Sequence, residues 1–232
     1  MKCLLLVFFF LPFVTLAQND FEKAEKLFAQ KRFSHAQPLF EHNLTQNPNN
    51  IKTIEYLGDI QSYAKNWETA ATYYMKLKTL RPSNADYQYK YGGALAMLAK
   101  ERNKVKAIGM IGDIESAFLK AIEIDSKHLG ARWALIELYL QLPGILGGSE
   151  NKANRYAAEL SKLSPVDGYL AKGRIAEYFE RYKDAVNQYK IAIENENSKI
   201  AYQKLADLYK NKLNQPEKAR QIMLEFTEKN KS

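Results

Sequence analysis

Cysteine occurs once in 232 residues, as Cys3, and histidine three times, as His35, His42 and His128. Cys3 stands near the start of an apolar leader, so a processed chain would hold no cysteine. That excludes disulfides, thiolate metal sites and a cysteine nucleophile. No histidine belongs to an HExxH arrangement. His35 and His42 share a helix face two turns apart, about 10 Å by helical rise, too far to hold one ion without further ligands. No Gly-x-Ser-x-Gly elbow surrounds any serine, no Lys-Ser or Lys-Thr dipeptide closes a glycine loop, and no carboxylate pair stands out for acid–base work. The sequence therefore offers no catalytic residue, no metal site and no cofactor, and points away from an enzyme.

Long apolar runs are also scarce. The single one opens the chain, "MKCLLLVFFFLPFVTLAQND", with one lysine before it and Thr15 and Ala17 at its end. This is the layout of a signal peptide over residues 1–17, cleaved after Ala17. The expectation is an exported protein, periplasmic or extracellular, with no stable membrane span in the mature chain. The formal net charge of +8 is spread among acids along the whole sequence, which marks a solvated surface and argues against nucleic acid.

Beyond Gln18 apolar residues recur at three- and four-residue spacing, with no strand-like alternation, so the chain reads as all-helical. Pro48, Pro82, Pro143 and Pro165 fall where helical patterns stop. Ala36, Phe40 and Pro48 recur as Ala70, Tyr74 and Pro82, each 34 residues further on. A small alanine lets two helices approach, an aromatic fills the next gap and proline ends the second helix. One such hairpin cannot bury its own apolar face, so hairpins stack.

With these anchors the chain resembles the tetratricopeptide repeat (TPR) family. The clearest copy is "IKTIEYLGDIQSYAKNWETAATYYMKLKTLRP". A third copy is about ten residues longer than the period, and its first helix is expected to be extended. With that long hairpin and the stretch "QLPGILGGSENKA", the chain is also similar to exported bacterial TPR proteins. The resemblance implies an all-α, right-handed superhelical solenoid of about six helix pairs, forming a single extended domain over residues 18–232. Within "LPGILGGSENKA" the glycines read as an elongated turn, with Ser149 capping the next helix. The competing reading, an anion held by exposed amides, lacks the preceding strand of a nucleotide loop.

The family geometry implies that the first helix of each copy lines a groove. The matching positions hold Phe21, Glu25 and Phe28, then Glu55, Asp59 and Tyr63, then Asp86, Tyr89 and Met97. The expected surface is acidic and aromatic, suited to a protein or peptide segment with lysine or arginine between apolar residues. A bland alternative is that some of these aromatics only pack between helices. Lys100, Arg102, Lys104 and Lys106 form a basic tip on the third hairpin, read as a solvated helix end or a contact for an anionic surface. The function implied is a non-enzymatic interaction scaffold. The alternative is an accessory subunit of a periplasmic transport system that binds a small solute or docks a solute-binding protein.

Overall fold

The computed structural model describes the backbone over residues 11–231 and side chains over residues 20–231. The first ten residues of the expected signal peptide thus lie outside the described residues, and its remainder is described as backbone only. Among the described residues there are twelve α-helices and no strand. The chain divides into two compact units, one ending at Ile124 and the other beginning at Asp125.

The first unit contains α1 (Leu11–Ala29), α2 (Phe33–Gln46), α3 (Ile51–Tyr63), α4 (Trp67–Leu80), α5 (Ala85–Glu101) and α6 (Lys104–Ile124). The second contains α7 (Leu129–Gln141), α8 (Glu150–Leu163), α9 (Pro165–Tyr178), α10 (Tyr182–Asn195), α11 (Lys199–Asn211) and α12 (Pro216–Lys229). Odd-numbered helices pack on the even-numbered helices that follow them, and within a unit each pair packs on the next through α2–α3, α4–α5, α8–α9 and α10–α11. Each unit is therefore a stack of helix pairs, an all-α solenoid arrangement.

Local chemistry explains where the helices begin. Asn50 and Asn84, one repeat apart, accept from the amides of Thr53 and Tyr87 at 3.1 Å. His128 and Ser164 do the same for Ala131 and Asp167. Each cap satisfies an amide that the helix leaves without an internal partner. The anchor residues are the core: Ala36, Ala70, Ala185, Phe40 and Tyr189 are fully buried, and Tyr74 nearly so. Gly58 is needed where α3 meets α4, because a Cβ there would lie 2.7 Å from Tyr74 Cε1.

Four of the six turns inside the pairs follow one geometry. Lys31, Lys65, Glu180 and Asn214 all adopt positive φ, between 51° and 60°. The following amides reach back to helix carbonyls, Arg32 to Leu27 at 2.9 Å, Asn66 to Gln61 at 2.8 Å and Arg181 to Ala176 at 2.8 Å. These are Schellman closures, a left-handed slot that glycine fills most readily.

The long third hairpin has the extended first helix that the sequence suggests, and a second helix extended further. Its first helix, α5, has 17 residues against 13 in α3, but its second helix, α6, has 21 against 14 in α4. Most of the insertion thus lengthens the second helix. The chain turns at Arg102 and Asn103, and Asn103 Oδ1 caps the Lys106 amide at 3.0 Å.

Candidate partner-binding site

In the first unit the face built by α1, α3 and α5 carries a polar ladder. Tyr56 donates its hydroxyl to Glu25 at 3.0 Å, tying α3 to α1. Tyr87 donates to Glu55 at 3.0 Å, tying α5 to α3. Lys90 then reaches from α5 to both acids of α3, Glu55 at 2.7 Å and Asp59 at 2.8 and 3.0 Å. Tyr74 donates to Asp59 from α4 at 2.8 Å. Burial pushes the Tyr87 hydroxyl up to about 12, helped by its hydrogen bond to Glu55. Burial pushes Tyr74 up as well, with the Asp59 charge beside it adding to the effect. Burial works against the charge on Lys90, but its hydrogen bonds to Asp59 and Glu55 prevail and raise its pKa.

The aromatic residues divide between packing and surface. Phe21 sits 5.7 Å edge-on to Phe40, and Phe28 lies 4.8 Å from Tyr56, so both contribute to the seam between helices. Tyr63 is different. Its ring stacks on Phe33 at 4.8 Å with an interplanar angle of 8°, touches Phe28 at 6.3 Å, and is 65 % exposed. On α5, Tyr89 packs toward Phe118 at 6.0 Å. Asp86 lies in the first turn of that helix and Met97, exposed, near its other end. The structure therefore joins Phe21, Phe28 and Tyr63 through Tyr56 and Phe33, bridges Glu55 and Asp59 through Lys90, and ties Glu25 separately to Tyr56. Asp86 and Met97 are held apart by the length of α5.

Lys90 is the member of this ladder that the groove positions alone do not reveal. It offsets part of the negative charge of Glu55 and Asp59, at 26 % side-chain exposure. A signal was present: Lys90 follows Glu55 by 35 residues and Asp59 by 31, so opposite charges stand about one repeat apart and meet across adjacent first helices.

The second unit repeats the principle with other residues, none of them named among the groove positions. Arg174 on α9 grips Glu137 on α7 through two hydrogen bonds of 2.7 and 3.0 Å. Burial opposes the Arg174 charge, yet the bonds to Glu137 raise its pKa. Trp133 donates its indole N–H to Asp167 at 2.7 Å, and Tyr189 donates to Glu177 at 2.9 Å.

No protein-family model matches the chain, and no curated protein matches it. Solved structures do. A thermophilic TPR protein from Thermus thermophilus superposes with a TM-score of 0.61 over 90 % of this chain and 99 % of its own, at 18 % identity. A TPR protein from Parabacteroides merdae gives 0.66 over 93 % of this chain and 80 % of its own, at 14 % identity. YrrB, a TPR protein with an unusual peptide-binding site, gives 0.55 over 78 % of this chain and 87 % of its own, at 15 % identity. The chain has a tetratricopeptide repeat fold.

Within that TPR fold the glycine stretch is a turn whose amides are spent internally. Residues Gly144–Leu146 form a single 3-10 turn, and Gly147 takes φ 96°. The amides of Gly147, Gly148 and Ser149 donate to the carbonyls of Gly144, Pro143 and Tyr139 at 3.0 to 3.1 Å. A Cβ on Gly148 would strike the Leu142 carbonyl oxygen at 1.8 Å, so the glycine is required for closure. Ser149 Oγ caps α8 at the Lys152 amide, 3.3 Å away. With these donors committed, the anion-cradle reading has little left to stand on.

Other sequence motifs resolve similarly in the TPR framework. Asn43, of the sequon Asn43-Leu44-Thr45, is buried and accepts from Thr53 Oγ1 at 2.7 Å, which leaves no room for a glycan. At the basic tip, Arg102 pairs with Glu68 at 2.7 Å, while Lys100, Lys104 and Lys106 are exposed. Among the described residues no three histidine, cysteine or acidic side chains converge as metal ligands, and no helix is long and apolar enough to cross a membrane.

Proposed function

We propose that this protein is a non-enzymatic TPR scaffold that binds a segment of a partner protein across α1, α3 and α5. The observation that carries this reading is Tyr63, a large aromatic 65 % exposed yet ordered by stacking on Phe33. A ring fixed before binding costs little side-chain entropy when a partner covers it. Glu25 and Asp86 add negative charge to the same helices, while Lys90 tempers that of Glu55 and Asp59. The surface thus favours a segment of apolar residues with occasional lysine or arginine. That YrrB has a peptide-binding site supports the class of function.

The test is fluorescence anisotropy with two end-blocked peptides, one alternating leucine and lysine, the other leucine and glutamate. The lysine peptide binds preferentially, and Tyr63→Ala weakens it about tenfold, as expected for an exposed aromatic anchor. Equal binding of both peptides, or no effect of Tyr63→Ala, refutes the reading.

The proposal includes export, supported by the apolar leader ending in Thr15 and Ala17. Amino-terminal sequencing of the protein purified from its own host should begin at Gln18. An intact start at Met1 would remove cleavage after Ala17 from the proposal and leave the leader as an uncleaved anchor.

A further inference from the structure

In the second unit a cleft of about 300 Å³ opens between α7, α9 and α11. Its apolar lining is Trp133, Leu170 and Ile200, the last of these 58 % exposed at the mouth. The volume lies at the small end of ligand sites, suited to one large side chain.

The polar lining leaves one charged group available to a ligand. Glu137 is engaged twice by Arg174. Asp167 accepts from Trp133 at 2.7 Å and from Ser164 Oγ at 2.6 Å. The Tyr189 hydroxyl donates to Glu177. Lys204 is the lining charge left over: it lines the cleft and has no hydrogen-bond or ion-pair partner among the described residues. The two acids and two bases of the lining balance in charge, but both carboxylates already accept hydrogen bonds whereas the Lys204 ammonium donates none among the described residues. A carboxylate would find an ammonium free to pair, beside a wall of indole and aliphatic carbon.

We propose that this cleft takes a large apolar side chain from a partner protein segment whose neighbouring residue carries a carboxylate, paired to Lys204. The inference shares with the scaffold reading only the class of ligand. It uses different residues and the opposite charge preference, so either can fail alone.

The chain contains two tryptophans, Trp67 and Trp133. Trp67→Phe therefore leaves Trp133, in the cleft wall, as the only tryptophan emitter. Emission is titrated in this variant with three probes: an end-blocked Gly-Ser-Phe-Asp-Asp-Gly-Ser peptide, its Phe-Lys-Lys counterpart, and phenylacetate. The acidic peptide gives a saturable change in Trp133 emission and binds more tightly than either other probe. Lys204→Glu weakens it about fivefold, the loss of one exposed ion pair. Ile200→Ser weakens it too, and Tyr63→Ala leaves it unchanged. Both cleft positions are exposed, so matching thermal unfolding curves exclude misfolding as the cause. A stronger response to the lysine peptide, equal affinity for phenylacetate, no saturable Trp133 signal, or insensitivity to Lys204→Glu would overturn the proposal.

Discussion

Gly173→Ala will lower stability by about 2–3 kcal/mol, read as a reduced urea midpoint at unchanged slope. A Cβ at Gly173 would stand 2.3 Å from Tyr189 Cε1 and 2.6 Å from Cδ1, with Cζ at 2.9 Å. Tyr189 is fully buried and its hydroxyl is held by Glu177, so the ring has no room to retreat without giving up a hydrogen bond. The control is Gly93→Ala on α5, where an added Cβ meets nothing within 4 Å. There the substitution gains helix propensity, up to about 0.8 kcal/mol. If both variants shift the midpoint in the same direction, the Gly173–Tyr189 contact is not what makes glycine necessary.

Lys90→Met will cost about 1–2 kcal/mol near neutral pH. The ammonium, Glu55 and Asp59 are 26 %, 32 % and 24 % exposed, so the pair is neither fully screened nor fully desolvated. The loss comes mainly from leaving two carboxylates facing each other with only tyrosine hydroxyls for company. The pH dependence follows from the raised Lys90 pKa. A lysine held more tightly protonated in the folded state contributes its full stabilisation below its ordinary value of 10.5 and loses it as pH rises through the folded value. The gap between wild type and variant is therefore constant from neutral pH to about pH 10, then closes. Tyr87, pushed up to about 12, acts in the same sense: the unfolded chain ionises first, so stability drains away between 10 and about 12. Denaturant titrations across this range measure it. A gap that widened above pH 10 would exclude the Lys90 ion pairs as its source.

What the sequence revealed depended on distance along the chain. The repeat was legible because its anchors are short-range: Ala70 and Tyr74 sit one turn apart, and both are buried where α4 meets α3. The third hairpin was harder, since helical periodicity persists across "AKERNKVKAIGMIGD" and nothing in it but Asn103 marks the turn. The candidate site was legible as positions but not as chemistry. Glu25, Glu55 and Asp59 were expected as one acidic surface, whereas each is committed to a neighbour from another helix. Those partnerships depend on which side chains interleave when helix pairs stack. The same holds for Trp133 and Lys204, whose separation of more than two repeats hides the cleft they share.

The left-handed residues at Lys31, Lys65, Glu180 and Asn214 bear on how the hairpins close. A residue with a Cβ visits this backbone region at a cost of about 1–2 kcal/mol, so the unfolded chain seldom samples these bends. The cost is met by the helices that flank each bend, through contacts such as those of Tyr74 against Gly58. At these four positions the turn is held by the packing of its helices and not by the backbone preference of the residue that makes it.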